Sequence, residues 1–246
     1  MAHSPLKTLT ENEKATLIQE VWCAFRDYFK NEMNSDLKRK RNPADTGRID
    51  FEIVTNGLEY TKDLLAGSYG VEAEHLFARA KPMAETTWAT QAPTVYGWEM
   101  REYLLDFSIS FGAIDVVIGA AHEPKLPEDR RFELVLGAES EMGTENDVCW
   151  DLLKLLDTRC LIKVLFYQAR IKQSAINSLK DRIEVVLNGH ASDPMQDVWL
   201  VAGLPTYSHW HEYRDNRHDT PRQVYTLERR GDNIRLNEVP EWWELE

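Results

Sequence analysis

Hydrophobic positions recur with a helical period through the first third of the chain and in shorter, strand-like runs after it. Over residues 9–33 the stripe Leu17, Ile18, Val21, Trp22, Phe25 and Phe29 predicts an amphipathic helix, with Thr10 as N-cap and Glu13 three residues on. The polar, basic stretch 34–47 ends in turn formers and predicts a loop. A second helix is expected over 48–66, with Ile53, Leu58, Leu64 and Leu65 inward and Gly67 stopping it. A third is expected over 71–90, ending before Pro93. The period then changes. Residues 103–109 and 114–118 predict strands split by Gly112, 122–131 a proline-containing loop, and 132–139 a third strand. A helix over 145–158 follows, with Thr144 as its cap, Asp147 at the third position and the stripe Val148, Leu152, Leu155, Leu156. Residues 162–167 predict a buried strand, 171–187 a helix and 198–202 a strand. The tail predicts a hairpin, 223–227 with 234–239, across Arg230-Gly231-Asp232. This order describes an α/β sandwich around a mixed sheet. The expected organisation is an N-terminal helical segment (1–95) and an α/β core with a C-terminal hairpin (96–246).

Composition narrows the class. A chain of 246 residues, 43% hydrophobic and 28% charged, has enough apolar matter for a sizeable core and is neither disordered nor fibrous. Its three cysteines are odd in number and show no C-x-x-C spacing, which argues against a disulfide framework and a cysteine zinc site and points to a reducing compartment. The first residues lack the apolar run of a signal peptide, and no stretch approaches the ~20 apolar residues of a membrane span. A soluble, cytoplasmic protein with no membrane partner is the expectation. Phosphate loops of the GxxxxGK[ST] and GxGxxG types and a GxSxG elbow are absent from the sequence.

Charge adds a hint about ligands. Lys and Arg total 29 against 41 Asp and Glu, a net charge of −12, with most of the excess in residues 51–169. A site that collects divalent cations has this signature, and so does a solvated acidic surface. Net acidity opposes non-specific nucleic-acid binding, which draws its affinity from phosphate neutralisation. Local basic candidates are Lys38-Arg39-Lys40-Arg41 and Arg214, Arg217, Arg222, Arg229 and Arg230.

The candidate chemistry sits at Glu139-Ser140-Glu141. Side chains alternate across a strand, so Glu139 and Glu141 share a face about 7 Å apart, with Phe132, Leu134, Leu136 and Ala138 on the other. Two carboxylates at the end of an apolar strand repel each other, and a hard divalent cation would offset that cost. Lys154 lies on the following helix, at helical spacing from Asp151 and Asp157. Lys163 lies inside a strand that reads as buried, where lysine seldom stands without a partner.

Glu102-Tyr-Leu-Leu-Asp106, Glu139-Ser-Glu141-Met-Gly143, Asp151-Leu-Leu-Lys154-Leu-Leu156 and the strand from Lys163 together resemble the core of the PD-(D/E)XK nuclease-like superfamily. Within it they resemble a bacterial group with E-x-L-x-D, E-S/C-E-W-G and D-F-x-K-L-L motifs. The resemblance covers about a quarter of the chain. It implies a three-layer restriction-endonuclease-like sandwich and Mg²⁺- or Mn²⁺-dependent phosphodiester hydrolysis, with DNA ahead of RNA as substrate and partner. Asp106 would be the strand aspartate, Glu139 the first acid of the (D/E)xK pair and Glu141 a further metal ligand, with Asp106, Glu139, Glu141 and Lys154 as the catalytic set. Glu141 stands where the superfamily has lysine and Met142 where the closer group has tryptophan, so Lys154 would be a displaced lysine, with Lys163 the alternative. A hairpin turning within 122–131 sets Asp115 opposite Glu139, whereas the motif sets Asp106 there; the motif assignment is the expectation.

Two further features stay open. His209, His211 and His218, mixed with Arg and aromatics, suit a zinc site, a nucleic-acid contact or an exposed loop. Trp242 and Trp243 suit packing on the body or across a homodimer. The function is thus an active metal-dependent nuclease or, as the alternative, a catalytically inactive nuclease-fold binding or regulatory protein.

Overall fold

The computed structural model describes residues 9–38, 51–69, 76–80, 105–111, 133–206, 209–210 and 222–244. The Thr10 cap forms as the sequence predicts: Glu13 N–H donates to Thr10 Oγ1 (3.3 Å), and Thr10 N–H donates back to the Glu13 carboxylate (2.8 Å). From this box α1 runs Glu11–Lys38 and buries its whole predicted stripe, with Met33 added, and it continues through residues 34–38 of the stretch expected as a loop. The second predicted helix is two, α2 (Phe51–Glu59) and α3 (Thr61–Tyr69), broken at Tyr60, where the buried Thr61 hydroxyl donates to Leu58 O at 2.6 Å. Gly67 lies inside α3 instead of stopping it.

The expected helix over 71–90 is corrected at residues 76–80. Strand β1 (Leu76–Ala80) pairs antiparallel with β2 (Phe107–Phe111) along its full length, and this cross-strand pairing overrides the local helical preference of an Ala- and Glu-rich stretch. The rest of 71–90, the strand expected at 114–118, the loop at 122–131 and the boundary near residue 95 lie outside the described residues. Strand β2 starts at Phe107, later than expected, with Leu105 and Asp106 just before it.

The remaining strands are β3 (Glu133–Glu141), β4 (Ile162–Gln168), β5 (Val198–Leu204), β6 (Val224–Arg230) and β7 (Asn233–Glu238). Helices α4 (Glu145–Asp157) and α5 (Gln173–Gly189) make the crossovers β3–α4–β4 and β4–α5–β5. The seven strands form one mixed sheet in chain order, parallel only across β3–β4–β5. The β6–β7 hairpin turns at Gly231-Asp232, and Gly231 takes the positive φ (60°) that a two-residue turn requires.

Alternation in the central strands builds two cores. Ile162, Val164, Phe166, Val198, Leu200 and Ala202 join Trp22, Phe25 and Phe29 of α1. Leu165, Tyr167, Trp199 and Val201 face Leu152 and Leu155 of α4 and Leu179, Ile183 and Leu187 of α5. The fold is therefore α/β, with helices on both faces of a mixed sheet. Each fully buried Leu, Ile or Phe contributes about 1.5–3 kcal/mol, so both helical layers are firmly seated.

Trp242 and Trp243 pack on the body. Trp22 Nε1–H (3.1 Å) and Arg26 Nη1–H (2.6 Å) both donate to Trp242 O, and Lys30 Nζ donates to Trp243 O (2.6 Å). The rings of Trp22 and Trp243 meet edge-on at 5.0 Å. Because Trp22 and Arg26 serve one buried carbonyl, their removal is non-additive. Trp22→Phe and Arg26→Met should each cost about 1 kcal/mol from the lost bond, with an added cavity cost for the indole. The double variant should cost about 1–3 kcal/mol more than the sum, because Trp242 O then has neither donor. Urea unfolding of the four proteins measures this term, and strict additivity would refute the shared-acceptor account.

Candidate metal centre

The parallel β3–α4–β4 unit sets the site. Thr144 caps α4 reciprocally with Asp147: its hydroxyl accepts from Asp147 N–H (3.4 Å), and the Asp147 carboxylate accepts from Thr144 N–H (2.9 Å). With the start so fixed, Val148, Leu152, Leu155 and Leu156 bury into the core, and Asp151 and Lys154, three apart on one face, turn toward β3. On the other side, β2 pairs with β3 through Phe107 opposite Ala138. One further step in that antiparallel register sets Asp106 opposite Glu139. Instead of a further ladder bond, the Asp106 carboxylate accepts the Ser140 N–H at 2.9 Å.

Asp106, Glu139 and Asp151 thereby converge, each offering a carboxylate oxygen within 4.8 Å of the others. Asp106 and Asp151 are 6% exposed and Glu139 is fully buried. Lys154 Nζ bridges two of them, at 3.0 Å from Glu139 Oε2 and 2.6 Å from Asp151 Oδ1. Glu139 Oε1 is buried without a hydrogen-bond partner among the described residues. At an effective dielectric of ~20, each like-charge pair at this range costs about 3–4 kcal/mol, so two repulsions and burial outweigh one lysine contact. Burial first, then Asp106 and Asp151, push the Glu139 carboxyl up to about 9, against the lowering effect of Lys154. Burial disfavours the Lys154 ammonium, yet Glu139 and Asp151 together outweigh it and raise its affinity for the proton. Three hard oxygen donors, one of them with an unpartnered oxygen, can hold a metal ion.

Of the residues expected from sequence, Asp106, Glu139 and Lys154 come together. Glu141 stands beside the group and is not among the three convergent carboxylates. Its half-buried side chain turns back to accept the Gly143 N–H at 2.5 Å, and burial raises its pKa. A Cβ at Gly143 would lie 2.7 Å from Glu141 Oε1 and 2.9 Å from Asp147 Oδ2, so a larger residue there would push these two carboxylates aside. The third carboxylate comes from Asp151, which the sequence marked as the first residue of the Asp151-to-Leu156 motif and a helical neighbour of Lys154, not as a metal ligand. Asp115 lies outside the described residues.

Lys163 belongs elsewhere. It pairs with Asp197 at 2.8 Å and lies over the Trp199 ring. His209 bonds Thr206 Oγ1 through Nδ1 (2.8 Å), and His211 and His218 lie outside the described residues, as do Arg39–Arg41, Arg214 and Arg217. Arg222, Arg229 and Arg230 pair with Glu244, Asp193 and Glu228. A polar cleft between α5 and β7 is lined by Lys180, Glu184 and Arg235, whose charges are already matched in ion pairs. No described helix is long and apolar enough to cross a membrane. No family model, curated protein or solved structure matches this chain.

The raised Glu139 pKa fixes a pH dependence. Between 4.5 and about 9 the folded state holds a proton that the unfolded state has released, so metal-free protein should lose stability as pH rises through that window. Glu139→Gln keeps the shape and removes the titration. In metal-free urea unfolding, its stability relative to wild type should rise from pH 5 to pH 9. A constant difference would show Glu139 ionised throughout, beside Lys154.

Proposed function

We propose that the protein is a nuclease of the PD-(D/E)XK type, hydrolysing phosphodiester bonds, of DNA ahead of RNA, with Mg²⁺ or Mn²⁺. The observation that carries this reading is the buried Asp106, Glu139 and Asp151 group with Lys154 bridging two of its members. The β2–β3–α4–β4 order that assembles the group agrees with the restriction-endonuclease-like topology that the motifs imply.

Asp106, Glu139 and Asp151 would be the metal ligands. When bound there, the cation supplies activation of water and neutralisation of charge on the phosphate. Glu139 must release its proton as a ligand, so metal binding should strengthen with pH. Asp106 is oriented by the Ser140 N–H and Asp151 by Lys154. Lys154 would lend its ammonium to the phosphate oxygens or hold the attacking water, in surroundings dry enough to strengthen its field.

The competing reading is a non-catalytic protein of the same fold. Lys154 already offsets part of the carboxylate charge through two ion pairs, and a net charge of −12 repels a polyanion.

Calorimetry with Mn²⁺ should find about one site, with Glu139→Ala abolishing it, Asp151→Asn weakening it by tenfold or more, and Glu141→Gln leaving it. At saturating Mn²⁺, Lys154→Met should retain the metal and lose cleavage by ~10²-fold or more. Metal binding with no cleavage of DNA or RNA by wild type would favour the non-catalytic reading. No binding by wild type would remove the metal centre.

A further inference from the structure

We propose that Arg170 holds a substrate phosphate beside the carboxylate group, which makes the ligand a polyanionic strand gripped at two points; the assignment rests on the nuclease reading above. Strands β3 and β4 are parallel, and Glu141 lies opposite Tyr167, so the chain leaving β4 emerges at the same end of the sheet as Glu139 and Glu141. Ligands of open α/β sheets sit outside the carboxyl ends of parallel strands. Arg170 is a cation placed there, with the exposed Lys172 two residues on. Its Nη2–H donates to Gly143 O at 3.0 Å, in the turn that carries the Glu141 carboxylate and leads into α4.

Its charge is left over. Arg182, Arg222, Arg229, Arg230 and Arg235 each have a carboxylate partner, whereas no carboxylate pairs with Arg170 among the described residues. Arg159 also lacks one, but it precedes β4 and therefore lies at the opposite end of the sheet. With one donor on Gly143 O, the five-donor guanidinium keeps a fork for the paired oxygens of a phosphate. Downstream, Ile171 and Lys172 are exposed, and the first turn of α5 carries no acidic side chain to compete for the arginine.

The backbone of Arg170 is also held from below. Gln223, 1% exposed, accepts the Arg170 N–H through Oε1 (3.1 Å) and donates Nε2–H to Arg170 O (2.7 Å). The Tyr167 hydroxyl, at 3.3 Å, fixes the same Oε1. A buried amide that grips both backbone groups of one loop residue fixes the direction in which its side chain leaves the backbone, and the bond to Gly143 O holds the guanidinium end. Less ordering cost then falls on binding.

The test is fluorescence anisotropy with a short fluorescein-labelled single-stranded DNA, Ca²⁺ replacing Mg²⁺, across a salt series. Wild type is compared with Arg170→Gln, Arg170→Lys and the surface control Lys180→Gln. Arg170→Gln should weaken binding by about tenfold and lower the salt slope by about one, while Tm and Mn²⁺ calorimetry stay at wild-type values. Arg170→Lys should restore the slope and part of the affinity, because it keeps the charge and loses the fork. Lys180→Gln should change nothing. Unchanged affinity and slope in Arg170→Gln would overturn this assignment alone. Equal loss in both arginine variants with a lowered Tm would make Arg170 a structural tie and overturn it too. A wild type that takes Mn²⁺ but no DNA or RNA would overturn the assignment together with the nuclease reading.

Discussion

Glu139 occupies a fully buried position between two other carboxylates, and the site around it depends on how that negative charge is offset. Three means are available: the Lys154 ammonium, a proton on Glu139, and a bound cation. Lys154 reaches only two of the three acids, so it meets part of the demand and leaves Glu139 Oε1 without a partner. The proton meets more of it but disappears as pH rises. A divalent ion would meet all of it at once, from an energetic starting point already unfavourable to the empty, fully ionised group.

The surrounding architecture serves to keep the group in place. Strand β3 is interior to the sheet, paired on both sides and packed against α4, and Glu139 is fully buried, so it cannot swing into water as a surface acid would. The capping box fixes where α4 begins, and its leucine stripe fixes how it rotates. Asp151 and Lys154 are then delivered to Glu139 by apolar packing on the other side of the same helix. A polar site is thus positioned largely by hydrophobic contacts that do not touch it.

How far this was legible in sequence follows from the range of each signal. Helix α1, its Thr10 cap, α4 and the buried strands β4 and β5 carry their periodicity locally, so their positions were plain. Residues 76–80 carry no such local mark, because β1 exists through its pairing with β2. Glu139 was legible from alternation and Lys154 from the motif spacing. Alternation gives the face of a side chain and not its rotamer, so it could not show that Glu141 turns back to the Gly143 N–H. The choice between Asp106 and Asp115 needed strand register, and the membership of Asp151 needed the tertiary return of α4 onto β3. Both are long-range facts.

The grip of α1 on residues 242 and 243 bears on how the chain is made. Trp22 and the carbonyl it serves are 220 residues apart, and Arg26 shares that acceptor from 216 residues away. Helix α1 leaves the ribosome before any strand of the sheet and must wait through synthesis of all of them before its indole and guanidinium find their acceptor. Until then its apolar stripe has no finished surface to lie on, which is the circumstance in which nascent chains associate wrongly or recruit chaperones. Closure of these sequence-distant contacts would be a late event in folding, and slow synthesis of β6 and β7 would prolong the vulnerable interval.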